Sequence, residues 1–184
     1  MFAVVVTGPP GAGKTSVLTA LADALGDDDV PHAAVEVELL VWAHPALSDE
    51  QRRRHVKATC ELYRAAGHRL LLLAQTVATD EDLAELLGAV GADEHLVVRL
   101  EAEPDTLVQR ITDREPESWS GLSELVGHER VLAASMPALG GVDLVVSTER
   151  QRPEAVAERI RAARPDVLRR PAGRSRPTYA RSYE

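Results

Sequence analysis

Cysteine is almost missing from this chain: Cys60 is the only one in 184 residues. That excludes an internal disulfide and any metal site built on paired thiolates, and the lone residue is expected to be a small buried apolar group. The six histidines form no close cluster, so a histidine metal site has no support either. Long hydrophobic runs are absent too. The four leucines at 70–73 fall far short of the ~20 residues that cross a bilayer, and the apolar N-terminus is too short for a secretory leader, so a cytoplasmic protein without membrane contact is expected. Lysine is scarce: arginine outnumbers it 19 to 2, which reads as genome composition more than mechanism. Net positive charge is lacking as well. The formal charge of −8 argues against a general nucleic-acid surface. It is unevenly spread, because residues 164–184 hold six arginines against Asp166 and Glu184, making that tail +4 and the rest −12. With three prolines and few aliphatic residues, 164–184 is expected to be a disordered basic tail behind one domain at 1–163.

What is present is most informative at the N-terminus. AVVVTGPPGAGKTS is an apolar run that breaks into a glycine-rich loop, and Gly8, Gly13, Lys14 and Thr15 fill the pattern G-x-x-x-x-G-K-[ST], the Walker A or P-loop motif. Glycines at 8, 11 and 13 let several backbone N–H groups converge on one concavity at a helix N-terminus, a place that suits a triphosphate. Pro9 and Pro10 donate no N–H, so within the binding stretch Gly8, Pro9, Pro10, Gly11, Ala12, Gly13, Lys14, Thr15 and Ser16 the cradle relies on residues 11–16. Lys14 is expected to reach the β- and γ-phosphates and the Thr15 hydroxyl to ligate Mg²⁺. The ligands are therefore ATP, or another nucleoside triphosphate, and magnesium.

Apolar runs alternate with helical patterns along the chain, the signature of a parallel sheet covered on both faces. Strands are expected at 2–7, 33–39, 69–76, 94–101 and 142–147. Helices are expected at 14–25, 49–66, 80–90, 104–114, 122–137 and 153–163. Ser48 with Gln51 forms a capping box, Thr79 precedes an acidic first turn, and Pro104 and Pro153 sit at first-turn positions. Gly26 and Gly67 are read as the stops of the first two helices. Ligands in such a sheet bind at the carboxyl ends of the strands.

Two further groups of residues bear on chemistry. Glu36 and Glu38 stand two apart in AAVEVELLVW, which puts both on one face of a strand. Near a γ-phosphate either could take a proton from an acceptor hydroxyl or hold Mg²⁺; Glu38, closer to the strand end, is the candidate base and Glu36, with Thr15, the candidate metal ligand. An edge strand with both carboxylates in solvent is the alternative. Gln75 ends the LLLLAQTV run, where most P-loop enzymes place an acid. Arg110 and Arg114, four apart, lead into a polar segment with Trp119 that reads as a lid at about 113–122. The pair either clamps phosphoryl oxygens or makes ordinary surface ion pairs. Trp42 and His44 either line an acceptor pocket or pack a loop, and Arg52, Arg53 and Arg54 are a solvated face or an anion-facing patch.

With these residues placed, the sequence resembles the small P-loop kinases over about residues 2–163: shikimate kinase, gluconate kinase, adenylate-kinase-like enzymes and chloramphenicol phosphotransferase. VEVELLVWAHP is similar to the chloramphenicol phosphotransferase stretch in which an aspartate after strand 2 acts as base, a role that falls here on Glu38. LVQRITDRE resembles the L-x-x-R-x-x-x-R lid entry and matches it at Leu107, Arg110 and Arg114. VDLVVSTERQRPEAVAERI resembles the last strand and helix, where the loop after the strand lies beside the nucleotide base. The resemblance implies a three-layer α/β fold with a five-stranded parallel sheet in the order 2-3-1-4-5. It also implies transfer of the γ-phosphoryl group of ATP to a small-molecule hydroxyl, with Lys14, Glu38, Arg110 and Arg114 as the catalytic set. The departures are a glutamate for the aspartate base and Gln75 for the acid after strand 3. No acceptor-specific signature can be placed. GTPase motifs D-x-x-G and N-K-x-D are absent. The rival readings are a nucleotide-binding regulatory protein with little turnover and a slow ATPase.

Overall fold

The computed structural model describes residues 1–116 and 118–169. Five strands, β1 (Phe2–Thr7), β2 (Ala33–Glu36), β3 (Leu70–Ala74), β4 (Glu94–Glu101) and β5 (Leu144–Ser147), pair in parallel in the order β2-β3-β1-β4-β5. Every residue of β1 and β3 is buried, as a strand covered on both faces requires. The period of two divides their side chains between two cores. Val4, Val6 and Leu72 pack with Leu18 and Leu21 of α1 (Lys14–Asp27) and Ile160 of α7 (Pro153–Ala163). Val5, Leu71 and Leu73 pack on the other face with Val56 and Cys60 of α3 (Asp49–Ala65) and Leu83 and Leu86 of α4 (Asp80–Val90).

The helix starts follow local chemistry. Ser48 and Thr79 each close a reciprocal capping box, with Gln51 and Asp82. Pro104 and Pro153 open α5 (Pro104–Arg114) and α7, where a missing N–H costs nothing. α6 (Leu122–Ser135) gives way to a 3₁₀ turn at Met136–Ala138 around Pro137. Gly67 does follow the end of α3, with φ of 95°. Gly26 does not end α1: the helix runs on through Asp27, and the turn is made by Asp29 at φ of 56°.

Two expectations need correcting. First, β2 stops at Glu36, and the chain turns at once into a one-turn helix, α2 (Val37–Leu40). β3 stops at Ala74, so beyond Glu36 there is no ladder to join. The backbone bonds to itself instead, through Val41 N to Val37 O at 3.1 Å. Glu36 and Glu38 therefore do not share a strand face. Second, the tail does not begin at 164. Pro165–Leu168 forms a short helix, α8, whose Leu168 is fully buried in the α1/α7 core. Arg161 locks it by donating to the Leu168 carbonyl at 3.1 Å and pairing with Asp28. An apolar side chain and a buried arginine outweigh the local arginine and proline content. The rest of the basic tail, 170–184, lies outside the described residues. No described helix is long and apolar enough to cross a membrane.

Candidate functional site

β1 delivers the chain into the glycine-rich loop beneath two neighbours. A Cβ on Gly8 would stand 2.7 Å from the Leu100 carbonyl of β4, and one on Gly11 would stand 2.6 Å from the Leu107 carbonyl of α5. Gly11 also has φ of 79°, so both its conformation and its space demand glycine. Gly13, left-handed at φ of 89°, is the N-cap of α1 and borders open space. The first intrahelical bond runs from Val17 N to Gly13 O at 2.9 Å, so the N–H groups of Lys14, Thr15 and Ser16 have no partner within the helix. Together with the helix dipole they make an anion site. The Lys14 ammonium lies over the loop and donates to the carbonyls of Gly8 at 3.1 Å and Pro9 at 3.4 Å.

Both glutamates reach this loop, although by different routes. Glu36, the last residue of β2, accepts a hydrogen bond from the Thr15 hydroxyl. A hydroxyl and a carboxylate in contact are an oxygen donor set that suits a hard divalent cation. Glu38, thrown over the end of β3 by α2, accepts from Thr76 N at 2.8 Å. The neighbouring amide, Val77 N, is taken by the Thr7 hydroxyl at 3.0 Å. Side chains thus replace the strand partner that β3 loses where β1 turns away. Burial works against the charge on Glu38, but the Lys14 ammonium, the Thr76 N–H and Arg114 outweigh it and hold the carboxyl below its ordinary range. Burial lowers the pKa of Lys14, with Glu38 opposing and Arg114 reinforcing that shift. Glu38 is therefore an ionised carboxylate at neutral pH, facing a desolvated ammonium.

The two arginines of α5 do different things. Arg110 donates to the Gly11 carbonyl at 3.2 Å, to the Thr148 hydroxyl at 2.9 Å and to the Thr148 carbonyl at 2.8 Å, riveting α5 to the glycine loop and to the segment after β5. Among the described residues Arg114 bonds only the adjacent Glu115, at 2.7 Å, and its side chain is 63% exposed. Both line one cavity of about 570 Å³ with Gly13, Lys14, Glu38 and Thr76. Trp119 does not: its ring lies against Gly121, where an added Cβ would meet it at 2.6 Å.

Two further cavities flank the first. One of about 250 Å³ lies between Gly13, Ser16, Arg110, Thr148 and Gln151, beside the loop that follows β5. The other, about 480 Å³, opens between α3 and α4 and shares Glu38 and Thr76 with the central cavity. Trp42, 81% exposed, and His44 are not among its lining residues. Arg52 and Arg53 are, whereas Arg54 pairs outward with Glu50. Gln75 reaches this wall with its side-chain oxygen buried and without a hydrogen-bond partner among the described residues. Thr76 and Thr148 are polar residues just past the ends of β3 and β5, the place where such a sheet binds ligands, and the sequence marks them as such without assigning either a role.

No protein-family model and no curated protein matches the sequence. Solved structures do match the fold. An unliganded sugar kinase from Janibacter sp. is 19% identical with a TM-score of 0.64, over 93% of this chain and 99% of that one. A gluconokinase from Sinorhizobium meliloti is 20% identical with a TM-score of 0.54, over 88% and 94%. A shikimate kinase from Acinetobacter baumannii, in complex with shikimate, is 18% identical with a TM-score of 0.53, over 91% and 95%. At these identities the likeness establishes the architecture: this chain has the three-layer α/β fold of the small P-loop kinases, with their 2-3-1-4-5 sheet.

Proposed function

We propose that the protein is an ATP-dependent phosphotransferase acting on a hydroxyl of a small molecule. The observation that carries this reading is the position of Glu38, which lines both the cavity over the glycine loop and the adjoining cavity between α3 and α4. A carboxylate on that boundary lies between a bound triphosphate and a second substrate. Its ionised state, held by Lys14 and the Thr76 N–H, is the one that accepts a proton.

In this reading the triphosphate lies across the N-terminus of α1, with its base towards the cavity beside Thr148 and Gln151. Lys14 leaves the carbonyls of Gly8 and Pro9 for the β- and γ-phosphates. Thr15 and Glu36 would hold Mg²⁺, which when bound would offset phosphate charge. The acceptor oxygen forms its bond to the γ-phosphorus while the bond from that phosphorus to the β–γ bridging oxygen breaks. The hydroxyl proton passes to Glu38, and ADP leaves. Arg114 closes on the transferred group with the segment between α5 and α6, while Arg110 keeps the loop and α5 in register.

The test is a metabolite screen with ATP and Mg²⁺, reading ADP formation. Glu38→Gln should lower acceptor-stimulated turnover about 10²- to 10⁴-fold, the usual contribution of a positioned base, with ATP affinity changed far less. Full stimulated activity in that variant would remove Glu38 from the mechanism. Tight ATP binding with no acceptor found would favour a regulatory nucleotide-binding protein, the reading that the neutral Gln75 supports.

A further inference from the structure

Helix α6 is weakly secured and carries an ionisable group on the face that touches its neighbours. It starts at Gly121 without a side-chain cap, unlike α3 and α4. Gly127 weakens its interior for no steric reason, since an added Cβ would meet nothing within 4 Å. Only two of its residues are buried, Leu132 and Glu129. Glu129 is 0% exposed, and neither carboxyl oxygen has a hydrogen-bond partner among the described residues. Its place follows from the helix period. One turn before it, Leu125 lines the central cavity with Gly11, Arg110 and Arg114. One turn after it, Ala133 lines a smaller cavity of about 200 Å³ with Pro9 and Leu107. Glu129 thus sits at the middle of the face that α6 lays against α5 and the outside of the glycine loop.

A carboxylate without water or a donor is costly to bury, whereas the neutral acid is tolerated. Burial accordingly raises the Glu129 pKa above its ordinary value, opposed by the charge of Arg130, the next residue on α6. The other charges on the packed elements are turned elsewhere. On α5, Arg110 holds Gly11 and Thr148, Asp113 accepts from Gln109 and Arg114 pairs with Glu115. Arg99 of β4 donates to the Met136 carbonyl, and His128 is exposed on α6 itself. We propose that α6 is a proton-gated cover over the nucleotide cavity, seated on α5 while Glu129 is a neutral acid and released when Glu129 gives its proton to solvent. The gate goes beyond phosphoryl transfer: it needs only that the glycine loop binds a nucleotide. A carboxyl whose seated pKa is raised supports the seated helix fully below the ordinary value near 4.5, and that support is lost as pH rises through the raised value. Because Leu125 forms part of the cavity wall, the nucleotide-competent fraction falls with it.

Hydrogen exchange of the full chain between about pH 5 and pH 8, expressed as protection relative to the intrinsic rate, reads the gate without nucleotide, with α7 as internal reference. Protection of α6 amides should fall about tenfold or more across that range in the wild type, while α7 stays constant. Glu129→Gln and Glu129→Met, two uncharged side chains, should each keep α6 protected at every pH. ATP titrations at the same pH values should show affinity falling several-fold in the wild type relative to either variant. Wild-type α6 protection that is flat with pH, or an equal fall in both uncharged variants, would overturn the proposal. So would an ATP affinity that ignores a release of α6 seen by exchange. Lower α6 protection in both variants than in the wild type at neutral pH would overturn it too, because the carboxylate would then be holding the helix. ATP binding to none of the three proteins would overturn the nucleotide reading itself, and the α6 exchange profile tells that failure apart from failure of the proton gate.

Discussion

The two ends of the cleft are built from different materials. The glycine-loop end is made of backbone: N–H groups at the start of α1, held where they are because carbonyls of β4 and α5 leave no room for a Cβ at Gly8 or Gly11. The far end is made of side chains, supplied by α3 and α4 across a gap of about 480 Å³. A backbone site tolerates almost no variation, since its shape is the shape of the chain. A side-chain site can be rewritten one residue at a time on an unchanged scaffold. One fold can thus keep a fixed phosphate donor while its acceptors diverge.

The largest expected effect strikes the backbone end. In Gly11→Ala the new Cβ meets the Leu107 carbonyl at 2.6 Å with φ already at 79°. Strain and overpacking together should cost about 2–6 kcal/mol in stability, with nucleotide binding lost, as read by denaturant melts and ATP titration. Gly13→Ala is the matched control: its added Cβ meets nothing within 4 Å, so only the left-handed conformation is strained, at about 1–2 kcal/mol. Equal losses in the two variants would mean that packing against α5 is irrelevant to the loop, and the contrast between the two ends would weaken.

That contrast also accounts for what could be read in advance. The loop was legible because its demands fall on consecutive residues, and Lys14, Thr15 and their glycines stand in one fixed spacing. Strand positions and helix starts were legible for the same reason, each resting on a local period, a capping box or a first-turn proline, whereas the strand order came with the resemblance to the small P-loop kinases. Glu36 and Glu38 were picked out by their charge in an apolar run, but their spacing suggested a shared strand face. β2 ends between them because β3 offers no further partner past Ala74, which pairs with Glu36 from far along the sequence. Arg53 and Glu85 meet only because α3 and α4 pack together, and nothing near either residue announces it. Leu168 was hidden by its basic neighbours.

Next in size is Lys14→Met. Charge-assisted hydrogen bonds are worth roughly 1.5–3 kcal/mol, so ATP affinity should fall about 10- to 100-fold. Stability without nucleotide should move the other way, because burial disfavours the ammonium. A lysine whose folded pKa is lowered makes the wild type gain stability as pH rises through that value towards the ordinary one near 10.5. The methionine variant should lose this alkaline rise. Thermal melts of both proteins between neutral and alkaline pH check the sign, and an unchanged slope would place the ammonium in solvent.

The smallest effect tests whether the two ends communicate through Glu38. Its carboxyl is held below its ordinary range in spite of burial, chiefly by Lys14 and the Thr76 N–H. A depressed folded pKa contributes stability that is complete above the ordinary value near 4.5 and disappears as pH falls through the folded value. Wild type and Glu38→Gln should therefore differ by a constant amount at neutral pH and converge in acid. Because Lys14 supplies part of the depression, the same comparison in a Lys14→Met background should show a smaller gap and an earlier convergence as pH is lowered. The coupling expected of a partly buried charge pair is about 0.5–1 kcal/mol, measurable by a double-mutant cycle in urea. Zero coupling would mean that the backbone end and the side-chain end meet at Glu38 without sensing each other's charge, and the protonation state of Glu38 would then be set by Thr76 and Arg114 against burial.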